Sequence, residues 1–122
     1  MTTDPIEQEI QAKGLTAPRV TPQRIEEVIT GEYFFTAANA LKGTPGESVE
    51  SLRLLTFCVL TLKNGFTVTG ESACASPENF NAELGRKIAR QNAVQKIWPL
   101  EGYVLREHLY QMTQPPVVPE AA

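Results

Sequence analysis

Residues 52–75 read LRLLTFCVLTL, KNG and FTVTGESACA, two apolar and β-branched runs separated by a short turn sequence. Asn64-Gly65 between such runs is the strongest short-range signal for a β-hairpin, because a type I′ turn needs a positive φ angle at both central residues. A two-residue turn of this kind pairs Lys63 with Phe66. The sequence therefore predicts an antiparallel hairpin at the centre of the fold.

The register of this hairpin decides which side chains share a face of the sheet. With a two-residue turn, Cys58 lies opposite Glu71. One face then carries Phe57, Val59, Thr61, Phe66, Val68 and Gly70, and the other carries Cys58, Leu60, Leu62, Thr67, Thr69 and Glu71. We expect one face to be core and the other to be covered in part. Because an isolated hairpin buries too little surface, helices, or helices and a second subunit, must complete the core.

A long helix is predicted after the hairpin. Ser76-Pro77 is a cap followed by a first-turn proline, so the helix is predicted from about residue 77 to 98. Pro99 predicts an end or kink at Trp98, followed by a final helix over about 100–112. The face predicted to pack on the hairpin carries Phe80, Leu84, Ile88, Val94 and Trp98. A second face carries the small residues Ala82, Gly85, Ala89 and Ala93, which would let another backbone approach.

The remaining chain is predicted to form one domain over residues 21–112. Thr21-Pro22 repeats the cap pattern and predicts a short helix over about 22–30. Residues 32–42 are predicted to be irregular or helical, and residues 43–50 a loop. By composition, residues 1–20 and the proline-rich residues 113–122 are predicted to be mobile tails.

The composition excludes several classes of protein. A net charge of −3 and a pI near 5.2 argue against general nucleic-acid binding, which usually requires a basic surface. The chain has no apolar run long enough to cross a membrane, and its first ten residues do not resemble a signal peptide, so a soluble intracellular protein is expected. Cys58 and Cys74 lack metal-binding spacing and are expected to be reduced, packed thiols.

Arg86 and Arg90 are the best functional signal that the residues alone provide. They lie four positions apart and therefore on one side of the helix, where two guanidinium groups can hold neighbouring phosphate oxygens. The alternative is that both are ordinary surface charges, with Glu83 paired to Lys87 or Arg86.

A catalytic interpretation has less support. Ser72 lies outside any GxSxG motif, and Cys74 with His108 is the one Cys–His combination that the sequence offers for a dyad. His108 lies beside Glu107 on the final helix, where a solvated histidine is ordinary. The residues favour a binding protein rather than an enzyme, with no cofactor or metal.

The segment from LLTFCVLTL to LREHL, including NGFTVTGESAC, ENF, GRKIAR and KIWPLEGY, is similar to a family of small tailed-phage and prophage proteins. That family is named after gene product 49 of one phage and gene product 66 of another. With TPQRIEEVITGEYFFTAANAL, the resemblance covers about residues 16–112. It implies a phage protein in the cytoplasm of an infected bacterium.

In architecture and in its C-terminal motif, the chain also resembles the phage anti-Thoeris sponge proteins. Those proteins sequester cyclic ADP-ribose isomers without degrading them, some also bind cyclic oligonucleotides, and their long kinked helix pairs across a dimer. This resemblance implies a homodimer or higher homo-oligomer, with Arg86 and Arg90 on a diphosphate. It also suggests Phe57 and Phe66 for stacking and Asn92 for hydrogen bonding.

We therefore predict an α+β fold: an antiparallel, hairpin-centred sheet with a short N-terminal helix and a long kinked C-terminal helical arm. The predicted function is capture of a cyclic nucleotide immune signal. The alternative is a phage factor that binds a host or phage protein through its helical arm, and a small enzyme using Cys74 is a third possibility.

Overall fold

The computed structural model describes residues 4–116. Its three strands form one antiparallel sheet in the order β1-β2-β3. The strands are β1 (Ile29–Thr36), β2 (Leu55–Leu62) and β3 (Thr67–Ala73), and the helices are α1 (Pro5–Ala12), α2 (Pro22–Glu27), α3 (Ala37–Ala40), α4 (Glu50–Arg53), α5 (Ala82–Gln95) and α6 (Ile97–Met112). The predicted α+β fold with its long kinked helical arm is confirmed.

The hairpin is present, but its turn has three residues instead of two. The Leu62 N–H donates to the Phe66 carbonyl at 2.8 Å, which closes the turn around Lys63, Asn64 and Gly65. Gly65 has a φ angle of 89°, the left-handed conformation that ends three-residue hairpin loops. The predicted two-residue turn is therefore wrong.

The extra turn residue shifts the pairing of β3 with β2 by one residue, so that each side chain of β3 lies on the opposite face of the sheet from the one predicted. Cys58 pairs with Gly70 instead of Glu71, and Leu60 pairs with Val68. The core face of the sheet is therefore formed by Cys58, Leu60, Leu62, Val68 and Gly70. The opposite face carries residues that are half-buried or exposed: Phe57, Val59, Thr61, Thr67, Thr69 and Glu71. A one-residue shift has this effect because side chains alternate between the faces of a strand.

The prediction of irregular or helical structure over residues 32–42 is wrong for residues 32–36 and correct for residues 37–42, which form α3 and the turn after it. Residues 29–36 form β1, which pairs with β2 so that Phe34 lies opposite Cys58 and Phe35 opposite Phe57. The aromatic side chains of this segment therefore extend both faces of the sheet. Thr36 ends the strand and caps α3 through a reciprocal pair of hydrogen bonds with Asn39.

The long helix begins later than predicted. Ser76-Pro77 starts only a single 3₁₀ turn, Pro77–Asn79, and the Ser76 side chain makes no capping hydrogen bond. The α5 helix instead begins after Asn81, whose side chain accepts from the Leu84 N–H at 2.9 Å. An asparagine before Ala-Glu-Leu thus provides the cap that the Ser-Pro pair does not.

The face of α5 that packs on the sheet is the row of small residues. Gly85, Ala89 and Ala93 are buried, and their backbone lies so close to β3 that position 70 has no room for a Cβ atom. By contrast, Leu84 is 55% exposed and Ile88 is 38% exposed. The assignment of Leu84 and Ile88 to the core is therefore wrong. The small residues allow another backbone to approach, as predicted, and that backbone belongs to the sheet of the same chain.

The C-terminal helical arm bends by 22° between α5 and α6. The α5 helix ends at Gln95, and Lys96 separates it from α6, which begins at Ile97. Pro99 lies in the first turn of α6, where a proline needs no N–H partner. Trp98 and Val94 pack against the core, as predicted, and Ile97 is fully buried.

The N-terminal region is helical in two places. Thr21 caps α2 by accepting from the Arg24 N–H, as the Thr-Pro pattern predicts. Within the predicted tail, α1 is capped by Asp4, and Glu7 of this helix accepts both guanidinium nitrogens of Arg19 at 2.7 and 2.6 Å. Residues 117–122 of the predicted C-terminal tail lie outside the described residues.

Candidate functional site

Arg90 forms the most extensive ion-pair cluster of the described chain. Its Nε donates to Glu32 at 2.7 Å, and its two terminal nitrogens donate to Glu26 at 3.3 and 2.8 Å. The hydrogen bonds that Arg90 donates to Glu26, and then the one to Glu32, raise the pKa of Arg90. Arg90 thus connects α5 to α2 and to β1, and its positive charge is compensated by two carboxylates.

Arg86 has a different environment although it lies only one turn before Arg90. Within residues 4–116, Arg86 has no carboxylate within ion-pair distance. It lines a cavity of about 100 Å³ together with the aromatic residues Phe34, Phe35 and Phe80. A free guanidinium beside aromatic rings can bind an anion whose attached ring system stacks or packs against those rings.

A second cavity, of about 440 Å³, adjoins the first, and the two share Thr36 and Asn39 in their walls. It is lined by two cations, Lys42 and Arg53, neither of which forms an ion pair in the described chain, and by Glu47. Glu47 is engaged by the Gly43 N–H, which donates to it at 2.8 Å. We call these two adjoining cavities the Arg86 cleft.

The Arg86 cleft is a local positive region in an acidic protein. Arg86, Lys42 and Arg53 contribute three positive charges against the one negative charge of Glu47. The shared wall is fixed, because Thr36 and Asn39 hold each other in the capping box of α3. The cleft can therefore offer two cationic centres and an aromatic surface to one ligand, which is the combination that a nucleotide diphosphate requires.

The other predicted site residues are spread over the sheet. Phe57 stacks on Phe35, with ring centroids 5.5 Å apart, on the face of the sheet opposite α5, and it does not line the Arg86 cleft. Phe66 lies at the hairpin turn, at the other end of β2. Asn92 donates to the backbone carbonyl of Glu71 at 2.8 Å and so ties α5 to β3. Contacts of Phe66, Asn92 and Arg90 with a ligand stay predictions.

Lys42, Arg53 and Phe80 line the Arg86 cleft but were not predicted as site residues. These residues lie in three different segments, and no motif or spacing connects them to Arg86. They meet because β1 ends beside the start of β2 and because the 3₁₀ turn before α5 lies at the same end of the sheet.

The two cysteines of the chain are one buried and one half-buried thiol. Cys58 is fully buried, and burial raises the pKa of its thiol. The Cys74 thiol donates to the Ser76 carbonyl at 3.2 Å. Both cysteines are free in the structure, in agreement with the prediction of packed, reduced thiols. Residues 4–116 contain no cluster of three or more histidine, cysteine or acidic side chains arranged to hold a metal ion.

Residues 20–109 match the family described as phage protein (N4 Gp49/phage Sf6 gene 66). The chain belongs to this phage protein family. The match covers the sheet, α5 and most of α6, and it confirms the family resemblance seen in the sequence. Comparisons with curated proteins and with solved structures gave no match. Between residues 4 and 116, no helix has both the length and the apolarity needed to cross a bilayer.

Proposed function

We propose that this phage protein binds and sequesters a cyclic nucleotide immune signal, a cyclic ADP-ribose isomer, in the cytoplasm of an infected bacterium. The observation that carries the proposal is the Arg86 cleft. In that cleft, a guanidinium free of carboxylates in the described chain lies with Phe34 and Phe80 and next to two further cations. The proposed mechanism is tight binding without chemical change to the ligand.

The cleft assigns a role to each group. Arg86 binds one phosphate bidentately, because its planar guanidinium matches two phosphate oxygens. Lys42 and Arg53 receive the second phosphate in the adjoining cavity. Phe34 and Phe80 provide the apolar surface for the base. Arg90 supports this arrangement by holding α5 against β1 through Glu32, which keeps Arg86 at the end of the sheet.

One experiment distinguishes binding without chemical change from catalytic turnover of the ligand. Purified protein is titrated with the cyclic ADP-ribose isomers by calorimetry, and the complex is then heated so that the released small molecule can be analysed. Recovery of the intact ligand supports sequestration, and recovery of an altered ligand indicates an enzyme. Absence of heat and of protection against thermal unfolding with every isomer rejects the proposal.

Variants test whether the ligand lies in the Arg86 cleft. We expect Arg86→Ala to weaken binding by roughly 10- to 150-fold, since a charged hydrogen-bonding partner of a phosphate is worth roughly 1.5–3 kcal/mol. The double variant K42Q/R53Q should also weaken binding. Arg106→Ala removes an exposed arginine of α6 without an ion pair in the described chain, and it should leave affinity unchanged. Equal losses from R86A and R106A would place binding elsewhere.

A specific observation also favours a protein-binding role for the helical arm. Tyr110 and Met112 at the outer end of α6 are exposed, and this helix contributes only Ile97 to the buried core. Uncovered apolar residues along one helix are typical of an association surface. We propose that the arm forms a homodimer or a larger homo-oligomer.

The partner of the arm is tested by changing its outer end. Tyr110→Glu should convert the oligomer to a monomer in light scattering, while Lys96→Glu, an exposed position at the bend, should not. If Y110E leaves the oligomer intact but abolishes recovery of a host or phage protein from infected cells, the arm binds that protein instead.

A further inference from the structure

A separate cavity of about 360 Å³ lies at the hairpin tip, between the turn, α2 and α6. We call it the tip cavity. Its floor is formed by Val28 and Leu62, which are both buried. Its rim carries two exposed aromatic side chains, Phe66 of the hairpin and Tyr103 of α6, which are 54% and 72% exposed. A cavity of this size, with an apolar floor, falls in the range of small-molecule sites, roughly 300–1,000 Å³.

The charged groups of the tip cavity do not cancel. Arg24 lines it and is paired through Nε with Glu101 at 3.5 Å, the longest ion-pair distance in the described chain. Lys63 also lines the cavity and forms no ion pair within residues 4–116. With two cations against one carboxylate, the cavity carries one excess positive charge. It is therefore complementary to an apolar molecule with a single negative charge.

The tip cavity is distinct from the Arg86 cleft. The cleft lies beside Thr56 at the start of β2, whereas the tip cavity lies beside Leu62 at the end of that strand. Six residues of extended strand separate them by about 20 Å. The chemical character also differs, because the tip cavity is predominantly apolar and the cleft is cationic. One ligand cannot be expected to fill both.

We infer that the tip cavity is a binding site for a flat aromatic compound with one negative charge. The ring system lies on Val28 and Leu62 and packs against Phe66 and Tyr103, and the anionic group faces Lys63. The amide of Asn64 adds a donor at the rim, because its Oδ1 already accepts from the Phe66 N–H at 3.0 Å and its Nδ2 is free to donate. This inference is independent of the function proposed for the cleft.

The probe for the test is anilinonaphthalene sulfonate, a fluorescent aromatic monoanion, with the uncharged N-phenylnaphthylamine as its neutral counterpart. We expect saturable fluorescence from the folded wild-type chain at one site per chain, and weaker binding of the neutral probe. Val104→Trp fills the cavity from an exposed rim position and should reduce affinity by about tenfold or more, because the ring surface is then no longer accessible.

Lysine variants test the anionic group. Lys63→Gln should weaken binding of the sulfonate by up to about fivefold, as expected for a partly exposed ion pair, and leave the neutral probe unaffected. Lys96→Gln removes an exposed lysine that does not line the cavity, and R86A alters only the cleft. Neither control should change binding of either probe. Thermal melts of all variants confirm that the chain is folded.

Three results would overturn the inference. The first is sulfonate binding that is unaffected by V104W, which would place the probe elsewhere. The second is a pair of observations: probe binding decreases as the protein concentration rises, and V104W converts an oligomer to a monomer. Together they would mean that a second copy of the chain occupies the cavity. Equal affinity for the charged and neutral probes would reject the charge assigned to the ligand.

Discussion

Substitution of Gly70 by alanine tests how closely the sheet and the long helix are packed. Gly70 lies on β3 opposite Cys58, directly beneath α5. A Cβ atom at this position would lie 2.9 Å from the Ala93 Cα atom and closer still to the Ala89 carbonyl oxygen and the Ala93 amide nitrogen. These neighbours are backbone atoms, so no side-chain rotation can relieve the overlap.

The loss of stability expected for Gly70→Ala follows from the backbone that must shift to make room for the Cβ atom. Ordinary contact begins at 3.4 Å, so α5 would have to shift away from β3 by on the order of 1 Å. That shift loosens Ala89 and Ala93 from the fully buried Cys58 and Leu60 beneath them. Overpacking usually costs about 1–3 kcal/mol, and a rigid backbone neighbour places Gly70→Ala at the upper end, about 3 kcal/mol or more.

The assay is thermal and urea unfolding followed by circular dichroism. About 3 kcal/mol corresponds to a fall in Tm of more than about 10 °C for a domain of this size. Gly102→Ala is the matched control, because position 102 lies in α6 with no atom within 4 Å of an added Cβ. It should be neutral or stabilising by up to about 1 kcal/mol through helix propensity. A G70A variant within 1 kcal/mol of wild type would refute the close packing that the structure shows.

Three further predictions concern the turn and the ion pairs. Gly65→Ala should destabilise the chain by about 1–2 kcal/mol in urea unfolding, because an L-residue is strained at a φ angle of 89°; Asn64→Ala, which keeps the glycine, should cost less. Arg90→Met should lose about 1 kcal/mol at low salt and less at high salt, since its partners are partly exposed; a loss independent of salt would contradict an electrostatic role. Hydrogen bonds from Arg19 and then Gln11 lower the pKa of Glu7 to about 2, so the docking of α1 should be complete above pH 4.5 and weaken as the pH falls towards 2. Hydrogen exchange in α1 measures this, and a Glu7→Gln chain should show no such dependence.

The candidate site shows how far a sequence can be interpreted. The spacing of Arg86 and Arg90 correctly indicates that they share one side of a helix, because helical geometry is local. It does not indicate that Glu26 and Glu32 compensate Arg90 and leave Arg86 free, since those carboxylates lie 64 and 58 positions away. The cations Lys42 and Arg53 of the Arg86 cleft likewise have no sequence signal that connects them to Arg86.

The sequence by itself determined the features that depend on neighbouring residues. Asn64-Gly65 between two apolar runs specifies a hairpin, Thr21-Pro22 specifies the start of α2, and the family motifs specify a phage protein. Tertiary structure decided the register, the buried face of α5 and the composition of the cleft. Each of these features depends on which distant part of the backbone packs nearby; for example, the row of Gly85, Ala89 and Ala93 on α5 packs against Gly70 of β3. Amphipathic periodicity within one helix does not encode which distant segment it will contact.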